Sequence, residues 1–332
     1  MICYSYPILK EISSYFLSKE KIDLDNVYIL ACQHILEPNA EMFKFLSDFG
    51  ITKNNVYLFG KIYSTSNDIL KEMQSAGFKV IQPPYDEKIS FDTQHKENCQ
   101  KAFDDFISII NKPARVIIID DGGELLKLMN EKIDLLKNNL SIVGVEQTSS
   151  GFRKLENTNL KFPVFNVARS SIKLSKESPL IARLGCDRIT DVVTQYSIID
   201  PRILVVGLGP MGSNILSILK NKGYFTLGYD IAHHDKAELV DLIKNNNINM
   251  VVGVTGSNIL NENQKTNAHT LILVDIGLEF DKALEKLEKD LKNKKVKINK
   301  VVVCSRLSLD DSKIYYSSIK ELKSKKVKTP FC

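Results

Sequence analysis

Short apolar runs alternate with longer stretches of helical spacing along almost the whole chain. Val27-Tyr-Ile-Leu-Ala-Cys32 reads as a strand, and Met42, Phe43, Phe45 and Leu46 recur at helical spacing within Ala40–Phe49. Val56–Phe59 forms a second strand, Asn67–Ala76 a helix closed by Gly77, and Lys79–Gln82 a third strand stopped by Pro83-Pro84. Lys101–Ile110 is helical. Arg115–Asp120 is the most strand-like run of the first half, and Leu140–Val145 and Phe162–Asn166 follow it. A helix-like bridge over Leu184–Ile199 leads into Asp200-Pro201, where a second unit begins. Its strands are Arg202–Val206, Phe225–Tyr229, Met250–Val254, Thr270–Val274 and Val301–Cys304. Its first helix covers Met211–Lys222, and Leu284, Leu287 and Leu291 mark one face of a later Lys/Glu-rich helix.

This alternation predicts an α/β protein of two domains, each a parallel sheet with helices on both faces. The first is expected over residues 1–187, taking in about 307–332 as well. The second is expected over 188–306. Parallel sheets bind ligands beyond the carboxyl ends of their strands, so chemistry is expected at Gln33-His34, Asp120-Asp121, Glu146-Gln147 and Ala168-Arg169.

A length of 332 residues suits two cores. The net charge of +5 is unevenly placed, with 15 basic and 7 acidic residues from Asp281 to Cys332 and a net −3 before them. That tail is mostly lysine on an amphipathic pattern, which describes a solvated helix face rather than a nucleic-acid surface. No apolar run reaches the roughly 18 residues that span a bilayer, and the N-terminus lacks the pattern of a signal peptide. The six cysteines form no C-x-x-C pair, which predicts reduced thiols, no metal site and a cytoplasmic setting.

Gly207-Leu-Gly-Pro-Met-Gly212 follows a strand and opens a helix. Gly207 suits a tight turn, Gly209 a close approach of backbone to a pyrophosphate, and Gly212 close helix–strand packing. Pro210 and Met211 start the helix, whose free N–H groups favour phosphate. Asp230 ends the next strand, placed to accept from a ribose diol, which predicts NAD rather than NADP. Strand, motif, helix, strand and terminal acid together define a Rossmann NAD-binding domain.

In the front half, Asp120-Asp121-Gly122-Gly123 makes an acidic loop, and Glu146-Gln-Thr-Ser-Ser-Gly151 gathers amide and hydroxyl groups. With Cys32-Gln-His34, Lys61-Ile-Tyr-Ser-Thr65, Asn166-Val-Ala-Arg169 and Lys173, they form an ordered series that resembles the adenosylhomocysteinase family. The similarity spans about residues 27–306, with Val254–Ser257 and Asp275–Leu278 resembling later loops around the cofactor.

The resemblance implies a tightly held NAD that oxidises and re-reduces a hydroxyl-bearing carbon. It implies catalytic roles for His34, Asp121, Lys173 and Glu177. Cofactor contacts would come from Gly207, Gly209, Pro210, Met211, Gly212, Asp230, Thr255 and Gly256. Substrate contacts would come from Ser64, Thr65, Gln147, Thr148 and Arg169. The cleft between the domains would hold the nicotinamide on one wall and His34, Asp121 and Lys173 on the other.

The chain also departs from the family pattern. A family glutamate is matched by Gln147, which cannot act as a base, and the family's Asn-Asp by Ala168-Arg169. Positions near the adenine are Leu36 and Pro38, and a loop histidine is Leu278. The chain also stops about a hundred residues early by family standards. These departures point to a changed small-molecule substrate, anionic or nucleoside-like, with Arg169 suited to a carboxylate or phosphate. A hydrolase or lyase acting on adenosyl thioethers and a non-catalytic NAD-binding regulator are the alternatives. The resemblance leaves homo-oligomerisation open.

Overall fold

The computed structural model describes residues 6–17, 23–84, 86, 91–110, 113–136, 140–195, 198–234, 236–254, 272–275, 301–304 and 315–317. The chain divides into two compact units, Met1–Ser170 and Ser171–Cys332.

The first unit begins with α1 (Pro7–Leu17), β1 (Val27–Ile35), α2 (Glu37–Asp48), β2 (Val56–Thr65), α3 (Asn67–Ser75) and β3 (Lys79–Ile81). It continues with α4 (Phe91–Ile109), β4 (Ala114–Asp120), α5 (Glu124–Lys132), β5 (Leu140–Glu146), α6 (Ser149–Leu155) and β6 (Val164–Asn166). The strands lie in the order β3-β2-β1-β4-β5-β6 and all pair in parallel. Side chains alternate between the two faces. Tyr28, Leu30 and Cys32 of β1 pack with Phe103 and Phe106 of α4 and Leu125, Leu126 and Met129 of α5. Val27, Ile29 and Ala31 pack on the other face with Phe43 of α2 and Met73 of α3. Burial on both faces explains why the central strand is a continuous apolar run.

The order reverses at β1 and β4, since β2 and β3 lie to one side and β5 and β6 to the other. At such a point the crossover connections diverge and leave a crevice above the strand ends.

The second unit holds α7 (Ser178–Gln195), β7 (Arg202–Val206), α8 (Pro210–Asn221), β8 (Phe225–Tyr229), α9 (Lys236–Asn245) and β9 (Met250–Gly253). Then come β10 (Ile272–Asp275), β11 (Val301–Cys304) and β12 (Tyr315–Ser317). The sheet order is β12-β11-β10-β9-β7-β8. It is parallel except at one edge, where β12 runs antiparallel to β11. Ile203 and Val205 face α7 and α8, while Leu204 and Val206 face α9.

Two domain expectations need correction. The unit boundary falls at 170/171 rather than 187/188, because Ala182, Cys186, Ile189 and Val192 of α7 pack against Ile203, Val205, Ile215 and Leu219 of the second core. The C-terminal segment was expected to rejoin the first domain, yet β12 pairs with β11 of the second sheet. Element ends also move. β1 runs on to Ile35 and β2 to Thr65, so His34, Ser64 and Thr65 lie within strands. The register shifts between Gln33 and Ile35, where Gln33 faces Gly60 but Ile35 faces Thr65. That bulge re-aims the residues around His34 and Lys61. α4 starts at Phe91, ten residues before the expected Lys101; its early buried positions are the polar Gln94 and His95, which hide the helical period.

Candidate active site and glycine loop

The first site forms at the switch point of the first sheet. Asp121 follows β4 directly. Gly122 and Gly123 after it adopt φ of 120° and 80°, which only glycine takes without strain. A Cβ on Gly123 would stand 3.0 Å from the Cα of Gly151, so the Asp120–Gly123 and Glu146–Gly151 loops meet backbone to backbone.

Asp121 joins two bases. Its Oδ2 lies 3.3 Å from Nε2 of His34 and its Oδ1 3.4 Å from Nζ of Lys61. The Lys61 ammonium also donates to the Asp121 carbonyl. The His34 side chain is 32% exposed, that of Asp121 14% and that of Lys61 3%, so His34 is the end that a ligand can reach. Burial works to raise the Asp121 carboxyl. The hydrogen bond from His34 and the charge of Lys61 outweigh it and hold the group well below the usual carboxylate range. A carboxylate facing Nε2 places the proton on that nitrogen, while Nδ1 is buried.

Behind this dyad sits a buried pair of carboxyls. Asp120 and Glu146 are register partners on β4 and β5. Asp120 Oδ2 accepts from Leu126 N (3.0 Å) at the start of α5. Glu146 Oε1 accepts from Thr148 N (2.7 Å), Thr148 Oγ1 (2.6 Å) and Gly122 N (3.3 Å), tying the two loops together. Asp120 Oδ1 and Glu146 Oε2 have no hydrogen-bond partner among the described residues. Burial pushes both carboxyls upward, and the charge of Asp120 adds to the rise at Glu146. A Cβ on Gly151 would collide with the Glu146 carboxylate, so only glycine closes this loop.

The sequence singled out His34 and Asp121, and the structure brings them together. It gave no role to Lys61, whose signal was a lone lysine interrupting an apolar run; Gln33, expected among the chemistry-bearing positions, is 2% exposed. Gln33 Nε2 donates to the Cys32 carbonyl and to Gln147 Oε1, both at 2.7 Å. Thr148 has its hydroxyl committed to Glu146 and to Gly151 N, as the cap of α6. Thr65 donates to the Lys61 carbonyl at 3.0 Å, and Ser64 is half-buried beside it in β2. The Arg169 guanidinium stacks over Phe152, 5.2 Å from the ring centre. Lys173 and Glu177 lie on a π-helical turn that leads into α7, in the second unit, and pair with each other at 3.4 Å. Cys32 and Cys99 are buried and unbridged, and burial pushes both thiols up, away from nucleophilic use.

In the second unit the glycine motif forms a strand–turn–helix. Gly207 adopts φ of 97°, and a Cβ on Gly212 would collide with its carbonyl. Among the described residues nothing lies within 4 Å of a Cβ built on Gly209, the position where a phosphate would approach. Pro210 takes the first turn of α8, where its missing N–H costs nothing, and Met211 follows half-buried. Asp230 accepts from Leu208 N (2.6 Å) and Ala232 N (2.9 Å), which hold its carboxyl below the usual range. Each oxygen keeps a lone pair for a further donor. These residues fit a dinucleotide. Thr255, Gly256 and Leu278 lie outside the described residues.

No protein-family profile matches the chain. A Mycobacterium tuberculosis protein described as uncharacterized is 34% identical over 205 residues, which cover 60% of this chain and 39% of that protein. An adenosylhomocysteinase of Acinetobacter baylyi is 24% identical over 200 residues, covering 59% and 40%. The chain thus spans about two fifths of the length of these curated relatives. Among solved structures, an Aquifex aeolicus D-lactate dehydrogenase complexed with NAD and lactic acid matches with a TM-score of 0.39 at 11% identity, covering 85% of this chain and 78% of that one. Among the described residues no helix is long and apolar enough to cross a membrane.

Proposed function

We propose that this chain forms the core of an NAD-dependent enzyme that carries out redox chemistry at a hydroxyl-bearing carbon of a small molecule. The observation that carries the reading is the His34–Asp121–Lys61 array at the switch point of the first sheet. The second unit supports it with a glycine loop built to take a dinucleotide. Gly207, Gly209 and Gly212 would line the pyrophosphate, and Asp230 would accept from the adenosine ribose. Bound there, a nicotinamide supplies two-electron oxidation and reduction of a carbon that bears a hydroxyl.

The protein's own groups handle protons and position. The His34–Asp121 pair takes the hydroxyl proton and returns it. Asp121 orients the imidazole. Lys61 keeps Asp121 ionised and fixed.

The similarity to an adenosylhomocysteinase favours a second reading, hydrolysis of an adenosyl thioether. Gln147 weighs against it, since an amide cannot serve as the base that the family glutamate supplies. Denaturing the purified protein and identifying released dinucleotide by mass tests the first reading. Adding adenosine while following absorbance of the reduced nicotinamide tests the second. The expected result is bound NAD that adenosine leaves oxidised. Reduction by adenosine would move the assignment to the adenosyl reading. A protein that neither carries nor takes up NAD would overturn both.

A further inference from the structure

Asp121, the carboxylate that aims His34, is held through both of its chain neighbours by the end of β5. The residue before it, Asp120, accepts the Gln147 N–H on its carbonyl at 3.1 Å. The residue after it, Gly122, donates its N–H to Glu146 Oε1 at 3.3 Å. The same oxygen accepts from the Thr148 N–H and hydroxyl, and that hydroxyl in turn accepts from Gly151 N at 3.0 Å. The Glu146 carboxyl is therefore the knot that ties the Asp120–Gly123 loop to the Glu146–Gly151 loop.

The knot contains two acids. Asp120 and Glu146 are register partners, 0% and 1% exposed, on strands about 4.8 Å apart. Each has one oxygen held by donors, Oδ2 of Asp120 by Leu126 N and Oε1 of Glu146 by the loops. The other oxygen of each, Oδ1 and Oε2, is buried and has no hydrogen-bond partner among the described residues. Two ionised carboxylates placed so would repel each other with no donor between them. One proton supplies the donor and removes half of the charge. Lys61 of β2 favours an ionised Asp120, and Asp121 opposes it, with His34 of β1 beyond Asp121. The thiols of Cys32 on β1 and Cys99 on α4 also feel the Asp120 charge, and Cys99 that of Glu124 on α5. Burial pushes both thiols up, out of the neutral range.

We propose that Glu146 is a positioning residue for the His34–Asp121 pair and acts through a proton that it shares with Asp120. With the proton in place the two loops stay drawn together, and Asp121 stays between His34 and Lys61. As pH rises the proton leaves to solvent, the two buried charges part, and the bonds from Gly122 and Thr148 loosen. Asp121 then loses its fixed place. This rests on the reading of the first unit as the substrate site, and it gives that site a pH dependence seated outside its own histidine.

Glycine amides report on the two loops directly. In the full chain labelled with 15N-glycine, a 13C-carbonyl label on aspartate picks out Gly122, the one glycine that follows an aspartate. The same label on serine picks out Gly151, the one glycine that follows a serine. Both resonances should move together along one titration as pH rises from about 5 to 8. His34→Gln removes the nearby imidazole and should leave that titration in place. Glu146→Gln and Asp120→Asn each set a permanent N–H between the two side chains, so neither resonance should titrate in either variant, with thermal melting as the check on folding. Resonances that stay still in the parent, that move at separate midpoints, that stop moving in His34→Gln, or that still titrate in a folded amide variant would each overturn the proposal. Neither substrate nor dinucleotide takes part, so a failure here and a failure to bind NAD are told apart.

Discussion

Asp121 stands between His34 and Lys61 with one carboxylate oxygen for each, at 3.3 and 3.4 Å. The arrangement is asymmetric, because the lysine is buried and the histidine is the more exposed partner. Removing the carboxylate leaves a buried ammonium without this counter-charge, whereas removing the lysine leaves a carboxylate that still has His34. Asp121→Asn should therefore destabilise by about 3–5 kcal/mol. Lys61→Met, similar in length and uncharged, should cost clearly less. In the double variant much of the loss should return, with a coupling of about 1–3 kcal/mol. Urea unfolding followed by circular dichroism measures all four corners of the cycle; the chain has no tryptophan to follow by fluorescence.

The carboxyls around this site respond to pH in opposite senses. Asp121 is held below its ordinary range, so its contribution is present above the ordinary carboxylate range and is lost as pH falls through its lowered value. Glu146 and Asp120 are raised. Their contribution is complete below the ordinary range and is lost as pH rises through the raised values toward neutrality. Glu146→Gln removes one of the two buried titrations while keeping an oxygen for Thr148. Its stability should fall less than that of the parent as pH rises from about 5 to 8. Parallel denaturant titrations across that range measure the slopes, and equal slopes would count against the buried-proton account.

Much of the fold was legible because β1, β4, β7 and β9 are buried on both faces and so appear as continuous apolar runs. Asp121 and the glycine motif were legible for the related reason that turn chemistry at a strand end is local. The role of Lys61 was not, and Gln33 was legible as a position but not by its partner. Each is a polar residue inside a strand whose partner lies far away in sequence, Asp121 at 60 positions and Gln147 at 114. The start of α4 was hidden in the same way, by buried Gln94 and His95. The unit boundary escaped because the small buried residues of α7, Ala182 and Cys186, announce a helix but not which core it joins.

Asp230 serves two purposes, and a single substitution separates them. Its carboxylate braces the glycine loop through Leu208 N and the following turn through Ala232 N. Asp230→Asn keeps one acceptor oxygen and loses the charge that would repel a 2′-phosphate. NADH affinity should drop about tenfold, on the scale of one charged hydrogen bond. NADPH affinity should drop less or rise, so the ratio moves toward NADPH. Fluorescence titration with each reduced cofactor measures that ratio, and an unchanged ratio would mean that Asp230 only braces the loop.

Gly209 and Gly212 make the sharpest separation between folding and binding in the second unit. Gly212 packs against the Gly207 carbonyl so closely that any Cβ must push backbone aside, which disturbs the turn and the seating of α8 on β7. Gly212→Ala should therefore lower stability by about 1–3 kcal/mol, the cost of overpacking. Gly209 has φ of −62° and ψ of −176°, allowed for any residue, and a Cβ there meets none of the described residues within 4 Å. Gly209→Ala should leave the melting temperature unchanged or slightly raised, because alanine loses less entropy on folding. The added methyl nevertheless stands where a pyrophosphate must come close to the backbone, so dinucleotide affinity should fall at least about tenfold. Thermal melts paired with NADH titrations read both quantities. A Gly209→Ala protein that melts normally and still binds NADH at full strength would show that the dinucleotide does not approach through this loop.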